Sequence, residues 1–205
     1  MIHDPLLLPD IEKATERILL AQENKERVMI FGDYDVDGIS STAALFLFLR
    51  DEMGMDVSYR LPHRVHDGYG IKGYHMEEIA KTGTKLIITV DCGTKDIEPI
   101  KKAYELGLEV IVTDHHSCPD VIPECVAVVN PRRRDSVYPF QGLSGSGVVW
   151  KLIHALLLTQ EKRLESKEKN GGIENTLNKY VDIVSLGTVA DCMPMIDENR
   201  TIVRR

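Results

Sequence analysis

Val28-Met29-Ile30-Phe31-Gly32-Asp33-Tyr34-Asp35-Val36-Asp37-Gly38 is the stretch whose reading decides the fold. Four consecutive apolar residues predict a short strand buried on both faces, because a half-exposed strand would alternate. Aspartates at every second position follow at once. From Gly38 onward Ala43, Ala44, Leu45, Leu47, Phe48 and Leu49 predict a helix. Strand, acidic turn and helix form the first half of a βαβ unit, with the acids at the carboxyl end of the strand. In open parallel sheets ligands bind at that end.

The same pattern extends outward. Upstream, Ile11, Ala14, Ile18, Leu19 and Ala21 recur at helical spacing between Asp10 and Lys25, with Pro9-Asp10 as the start. Downstream, strands are predicted at 57–61, 86–90, 110–112 and 126–129, and a helix at 97–106 that Gly107 ends. Strands alternating with helices predict an α/β fold, a Rossmann-like and mostly parallel sheet flanked by helices. Residues 147–158 and 177–186 read as helices and make a helical C-terminal part. Between them the charged stretch 160–173, which contains Gly171-Gly172, is expected to be an exposed helix extension and loop. No internal repeat or compositional boundary divides the chain, so residues 1–205 are read as one domain.

Composition narrows the class. In 205 residues, 43% are hydrophobic and 28% charged, which excludes a disordered or collagen-like chain. No apolar run approaches the roughly 18 residues of a membrane span, and the N-terminus lacks the pattern of a signal peptide, so the expectation is a cytoplasmic protein without a membrane partner. Cys92, Cys118, Cys125 and Cys192 contain no C-x-x-C pair and read as free thiols. Cys118 lies close to His115 and His116, but the second half of a structural zinc site is missing. The 32 acidic against 25 basic residues give a net charge of −7, which argues against the basic footprint of a nucleic-acid binder.

Two more strand ends carry acids or imidazoles: Asp91-Cys92-Gly93 after Val90, and Thr113-Asp114-His115-His116 after Val112. Asp191 closes the helical run 184–190. Taken singly, each aspartate reads as a turn or helix cap. The spacing of Asp33, Asp35 and Asp37 also opens an EF-hand loop, but position twelve is Ala44 instead of a glutamate and a strand precedes the loop. Carboxylates converging on one crevice would repel each other unless cations compensate. A shell of carboxylates and imidazoles without thiolates suits Mn²⁺ or Mg²⁺. Two such ions about 3.5–4 Å apart can activate water and stabilise a leaving oxygen. Neither G-x-S-x-G nor a P-loop is present.

Gly32-Asp-Tyr-Asp-Val-Asp-Gly38, Val90-Asp-Cys-Gly93, Thr113-Asp-His-His116 and Gly187-Thr-Val-Ala-Asp191 together resemble, in order, the four motifs of the DHH phosphoesterases. Leu61-Pro62-His63-Arg64, Asp67-Gly68-Tyr69-Gly70, Val129-Asn130-Pro131-Arg132, Leu143-Ser144-Gly145-Ser146-Gly147-Val148 and Glu198-Asn199-Arg200 are similar to its RecJ branch, the single-strand-specific 5′→3′ exonucleases of DNA repair and recombination. The resemblance implies two metal ions around a bridging Asp91. Asp35 would lean to one ion and Asp37, His115 and Asp191 to the other, with Asp33 in or just behind the shell. It also implies a catalytic group of His116, Asp91 and Asp114, in which His116 faces the scissile phosphate as donor or general acid. Related enzymes often carry a histidine where this chain has Phe31, which predicts a first site that binds more weakly or leans on water and Asp33.

For substrate, Arg64 matches a family position that meets nucleic-acid phosphate, and Tyr69 is placed to stack a base of single-stranded DNA. Ser144, Gly145 and Gly147 offer helix N-terminal N–H groups to phosphate, and read equally as an ordinary Ser-capped helix start. Arg132-Arg133-Arg134 reads as a solvated turn ahead of a strand-binding patch, and Trp150 as core. The family adds further C-terminal domains, expected to be needed for tight DNA binding. Two rival readings are a DHH enzyme acting on pyrophosphate, cyclic dinucleotides or short oligonucleotides, and a non-catalytic scaffold. Two divalent ions would also offset four of the seven surplus negative charges, which removes the objection from net charge.

Overall fold

A computed structural model describes residues 2–68, 70–163 and 172–205. Five parallel strands form one sheet in the order β2-β1-β3-β4-β5: β1 is Val28–Gly32, β2 Val57–Arg60, β3 Leu86–Val90, β4 Glu109–Thr113 and β5 Ala127–Val129. The chain leaves β1 toward β2 on one side and returns as β3 on the other. The order therefore reverses between β1 and β3, and a crevice opens at their carboxyl ends.

Strand periodicity explains the continuous apolar runs. Val28, Ile30, Leu86, Ile88, Val90, Ile111, Ala127 and Val129 face one hydrophobic cluster, shared with helices α1 (Ile11–Glu23), α2 (Val36–Leu47) and α5 (Gly145–Arg163). Met29, Phe31, Ile87, Val110, Val112 and Val128 face a second cluster, closed by α3 (Gly73–Ala80) and α4 (Ile97–Glu105). Both faces are covered, so the central strands carry no polar alternation.

The C-terminal part is helical, as expected, but its segmentation differs. The run predicted at 177–186 is two helices, α6 (Gly172–Asn178) and α7 (Val181–Ala190), and α8 spans Asp197–Val203. α5 extends to Arg163, and residues 164–171 of the charged stretch lie outside the described residues, as does Tyr69. Trp150 is buried and its indole N–H donates to the Leu177 carbonyl. Beside it Lys151 is fully buried. It pairs with Glu198 of α8 and donates to the His3 carbonyl at 2.7 Å, and Tyr138 donates to the other Glu198 oxygen. A buried charge must be paired to be tolerated, so this pair ties α5, α8 and the N-terminal segment together. No helix among the described residues is long and apolar enough to cross a membrane.

Arg133 is a structural staple. It donates to Asp10, to the Val128 carbonyl and to Asp135, which fixes the start of α1 against β5. Arg134 pairs with Asp120 at the surface, and Arg132 donates to the Gln141 carbonyl at 3.2 Å.

Candidate metal centre

Every acid singled out after a strand arrives at the crevice between β1, β3 and β4. Asp33 follows β1 directly and is buried, and its Oδ1 accepts from the Tyr34 N–H at 2.8 Å. Two residues on, Asp35 is the N-cap of α2 and accepts from the Gly38 N–H at 2.9 Å. The helix therefore starts at Val36, ahead of the Gly38 start predicted from its apolar pattern. That offset places Asp37 in the first turn of α2, facing inward and buried.

Asp91 follows β3 in a left-handed backbone conformation, φ 60°. For a residue other than glycine this conformation is uncommon and costs roughly 1–2 kcal/mol. It turns the carboxylate toward the imidazole of His115, which follows β4. Asp91 Oδ1 lies 3.1 Å from His115 Nε2, yet the two lack hydrogen-bond geometry and neither buried atom makes a hydrogen bond elsewhere. Two orphaned buried atoms of this kind are what a cation between or beside them would satisfy.

Ligand atoms within 4.8 Å of one another form three overlapping groups: Asp33, Asp35 and Asp91; Asp37, His115 and Asp191; and Asp91, His115 and His116. The first group brings Asp33 into the shell with Asp35 and Asp91, the second holds Asp37, His115 and Asp191 without Asp91, and the third links Asp91 to His115. Asp191 arrives from the C-terminal end of α7, 3.5 Å from His115 Nε2. The donors are carboxylates and imidazoles without a thiolate, and they fit a hard divalent ion such as Mn²⁺ or Mg²⁺. Phe31 does not contribute. Its ring is buried in the cluster under α3 and α4, 5.1 Å from the His75 ring, and the first group assembles from three carboxylates without it.

Electrostatics point the same way. Burial, and then the charges of Asp37, Asp35 and Asp114, push the Asp91 carboxyl up to about 10. Burial likewise raises Asp33 and Asp191. Such a cluster holds all its charges only when a cation is present.

Two glycines make the cluster possible. A Cβ on Gly145 would stand 2.6 Å from Asp91 Oδ1, and one on Gly187 would stand 2.4 Å from Asp37 Oδ1. The same contact corrects the phosphate reading of Ser144, Gly145 and Gly147. The N–H groups of Gly145 and Ser146 donate to the two oxygens of Asp37 at 2.6 and 3.0 Å, and the Gly147 N–H donates to Ser144 Oγ at 3.1 Å. The helix N-terminus holds an anion, but that anion is a metal-site carboxylate and the whole turn is buried. An anion is favoured there by the orphan N–H groups and the helix dipole.

Asp114 takes a supporting place. It is buried and accepts from the backbone N–H groups of Thr94, His115 and His116 and from His116 Nδ1 at 2.8 Å. Burial alone would raise it, but the His116 contacts hold it well below the usual carboxylate range. That hydrogen bond in turn raises the His116 imidazole. Asp114 orients His116, whose half-exposed ring faces the crevice. Asn130, to which the sequence reading gave no role, is fully buried behind this pair. Its amide donates to Thr94 Oγ1 at 3.1 Å and to the His116 carbonyl at 3.0 Å. Arg64 stands at the rim, exposed, with its guanidinium 5.4 Å from the Tyr34 ring centroid.

Comparison with known proteins bears on the family and the fold. Residues 27–188 match the model of the DHH family, N-terminal domain. The single-stranded-DNA-specific exonuclease RecJ of Bacillus subtilis is 38% identical over 200 residues, covering 98% of this chain and 23% of that protein. A crystal structure of exonuclease RecJ bound to manganese superposes with a TM-score of 0.80 at 30% identity, over 96% of this chain and 47% of that one. RecJ from Thermus thermophilus in complex with Mn²⁺ gives 0.74 at 28% identity, over 96% and 26%. The chain thus spans a quarter to a half of the length of these relatives. With its motifs in order on a matching sheet and its family model covering most of its residues, this chain belongs to the DHH family.

Proposed function

We propose that this chain is the hydrolytic domain of a metal-dependent exonuclease that degrades single-stranded DNA in the 5′→3′ direction. The observation that carries the reading is the orphaned pair Asp91 Oδ1 and His115 Nε2, set where two carboxylate groups meet at the switch point of the sheet. The names of the relatives supply the substrate class: RecJ proteins are described as single-stranded-DNA-specific exonucleases, and two of the matched RecJ structures carry manganese.

Asp33, Asp35 and Asp91 would hold one Mn²⁺ or Mg²⁺, and Asp37, His115 and Asp191 the other. Bound there, two such ions supply a water acidic enough to attack near neutral pH and positive charge opposite the leaving oxygen. The chain's own residues do the rest. Gly145 and Ser146 fix both oxygens of Asp37, and Asp114 holds His116 by Nδ1. His116 is thereby set to present its Nε2 proton to the departing 3′ oxygen of the DNA, and the shift imposed by Asp114 keeps that proton in place to higher pH.

The test compares Mn²⁺-dependent release of mononucleotides from 5′-labelled single-stranded DNA with turnover of pyrophosphate, a cyclic dinucleotide and a dinucleotide. Preferred degradation of the long strand supports the proposal. Turnover of the small substrates alone moves the chain to the small-phosphate branch of the family, and metal binding without any hydrolysis marks a scaffold.

A further inference from the structure

We propose that Asp67 is a positioning residue, which closes the loop 63–67 so that Arg64 is held beside the metal-binding turn with its charge available to the substrate. The proposal rests on the functional reading above for what Arg64 meets, and on the structure alone for how Arg64 is held.

The loop is closed from both ends. Asp67 Oδ2 accepts from the His63 N–H at 2.6 Å, and the Asp67 N–H returns to the His63 carbonyl at 2.9 Å. Inside the ring, His63 Nδ1 accepts from the N–H groups of Val65 and His66 at 3.2 and 3.4 Å. A turn of this size with nearly every backbone donor engaged has little freedom left.

Asp67 also fastens the loop to the body of the protein. Its Oδ1 accepts from the Tyr74 hydroxyl at 2.7 Å, in the first turn of α3. The next residue, His75, is fully buried, packs on Phe31 of β1 and takes the Lys72 N–H on Nδ1 at 3.1 Å. Its neutral ring therefore carries its proton on Nε2, which lies 3.7 Å from Asp67 Oδ2. Farther along, the Ile71 N–H donates to Asp96 at 3.3 Å, on the segment that follows Asp91. The loop is thus tied to α3, which packs through His75 on Phe31 of β1, the strand that leads into Asp33 and Asp35.

The charge arrangement gives the loop its purpose. Asp67 is the carboxylate nearest to Arg64 within this loop. Here both oxygens of Asp67 are turned onto His63 and Tyr74, and the His63 N–H bond, then Tyr74, lowers its carboxyl to about 2. Among the described residues no carboxylate pairs with Arg64, and its guanidinium lies over Tyr34, the residue between Asp33 and Asp35. An uncompensated, pre-oriented guanidinium next to a divalent-metal centre suits a phosphate of the bound strand, where such contacts set position and not sequence.

The experiment uses this chain with Asp67→Asn, Tyr74→Phe, Arg64→Ala and the Asp67→Asn/Arg64→Ala double variant. Hydrogen exchange is measured at the amides of residues 63–67, and kcat and KM for 5′-phosphorylated single-stranded DNA in Mn²⁺. Asp67→Asn should speed loop exchange and raise KM about tenfold with kcat within about twofold of wild type. Tyr74→Phe should act in the same direction more weakly, and the double variant should bind no worse than Arg64→Ala. Unchanged loop exchange, an unchanged KM, or losses that multiply in the double variant would overturn the proposal. A wild-type chain that hydrolyses no single-stranded DNA contradicts the functional reading instead, and loop exchange then decides whether Asp67 holds the loop.

Discussion

Asp91 Oδ1 and His115 Nε2 stand 3.1 Å apart at the ends of two adjacent strands, both buried and both without a hydrogen bond. The backbone of Asp91 is left-handed at that point, so removing the charge and relaxing the backbone are separable. Asparagine tolerates the left-handed region better than most residues. Asp91→Asn should therefore fold with nearly wild-type stability and lose Mn²⁺-dependent hydrolysis to background. Wild-type rates in that variant would exclude Asp91 from the chemistry.

The raised Asp91 carboxyl has a calorimetric consequence. With Asp91 pushed up to about 10, the metal-free protein holds a proton there at pH 7, and coordination requires the carboxylate. Mn²⁺ binding should release about one proton per chain, read from binding enthalpies in buffers of different ionisation enthalpy. The release should shrink as the pH is raised toward 10, and enthalpies independent of the buffer would contradict it.

Gly145 and Gly187 are predicted to be intolerant of even one methyl group. Gly187→Ala places a Cβ 2.4 Å from Asp37 Oδ1, and Gly145→Ala places one 2.6 Å from Asp91 Oδ1. Each variant should lose about 1–3 kcal/mol in denaturant unfolding, the usual cost of overpacking. Each should also bind Mn²⁺ more weakly, whereas Gly172→Ala, with open space around its Cβ and no left-handed backbone, should bind as wild type.

Asn130 tests whether the support behind His116 matters. It reaches the His116 carbonyl and Thr94, whose N–H holds Asp114. Outer partners of a metal site typically contribute 10–100-fold, so Asn130→Ala should lower kcat by roughly that factor with KM little changed. A rise in KM alone would place Asn130 with substrate binding.

Much of this was legible in the sequence for a definite physical reason. Strands β1, β3 and β4 are buried on both faces, so they read as unbroken apolar runs, and the acids that end them stand out by contrast. α3 and α8 were not legible. α3 buries His75, Met76 and Ile79, and α8 buries Glu198, Asn199 and Ile202, too few apolar points for a helical period. The role of the α5 start was not legible either, because N–H groups that could serve any anion serve Asp37. Long-range pairings of this kind, like Lys151 with Glu198, leave no local mark in the chain.

The most direct measurement is a calorimetric Mn²⁺ titration of this chain alongside Asp91→Asn. Two sites per wild-type chain, with at least one lost in the variant, is the predicted result, since the first carboxylate group assembles without a ligand from position 31. A wild-type chain that binds no Mn²⁺, or a variant that binds as many ions as wild type, would contradict a divalent-metal centre built around Asp91.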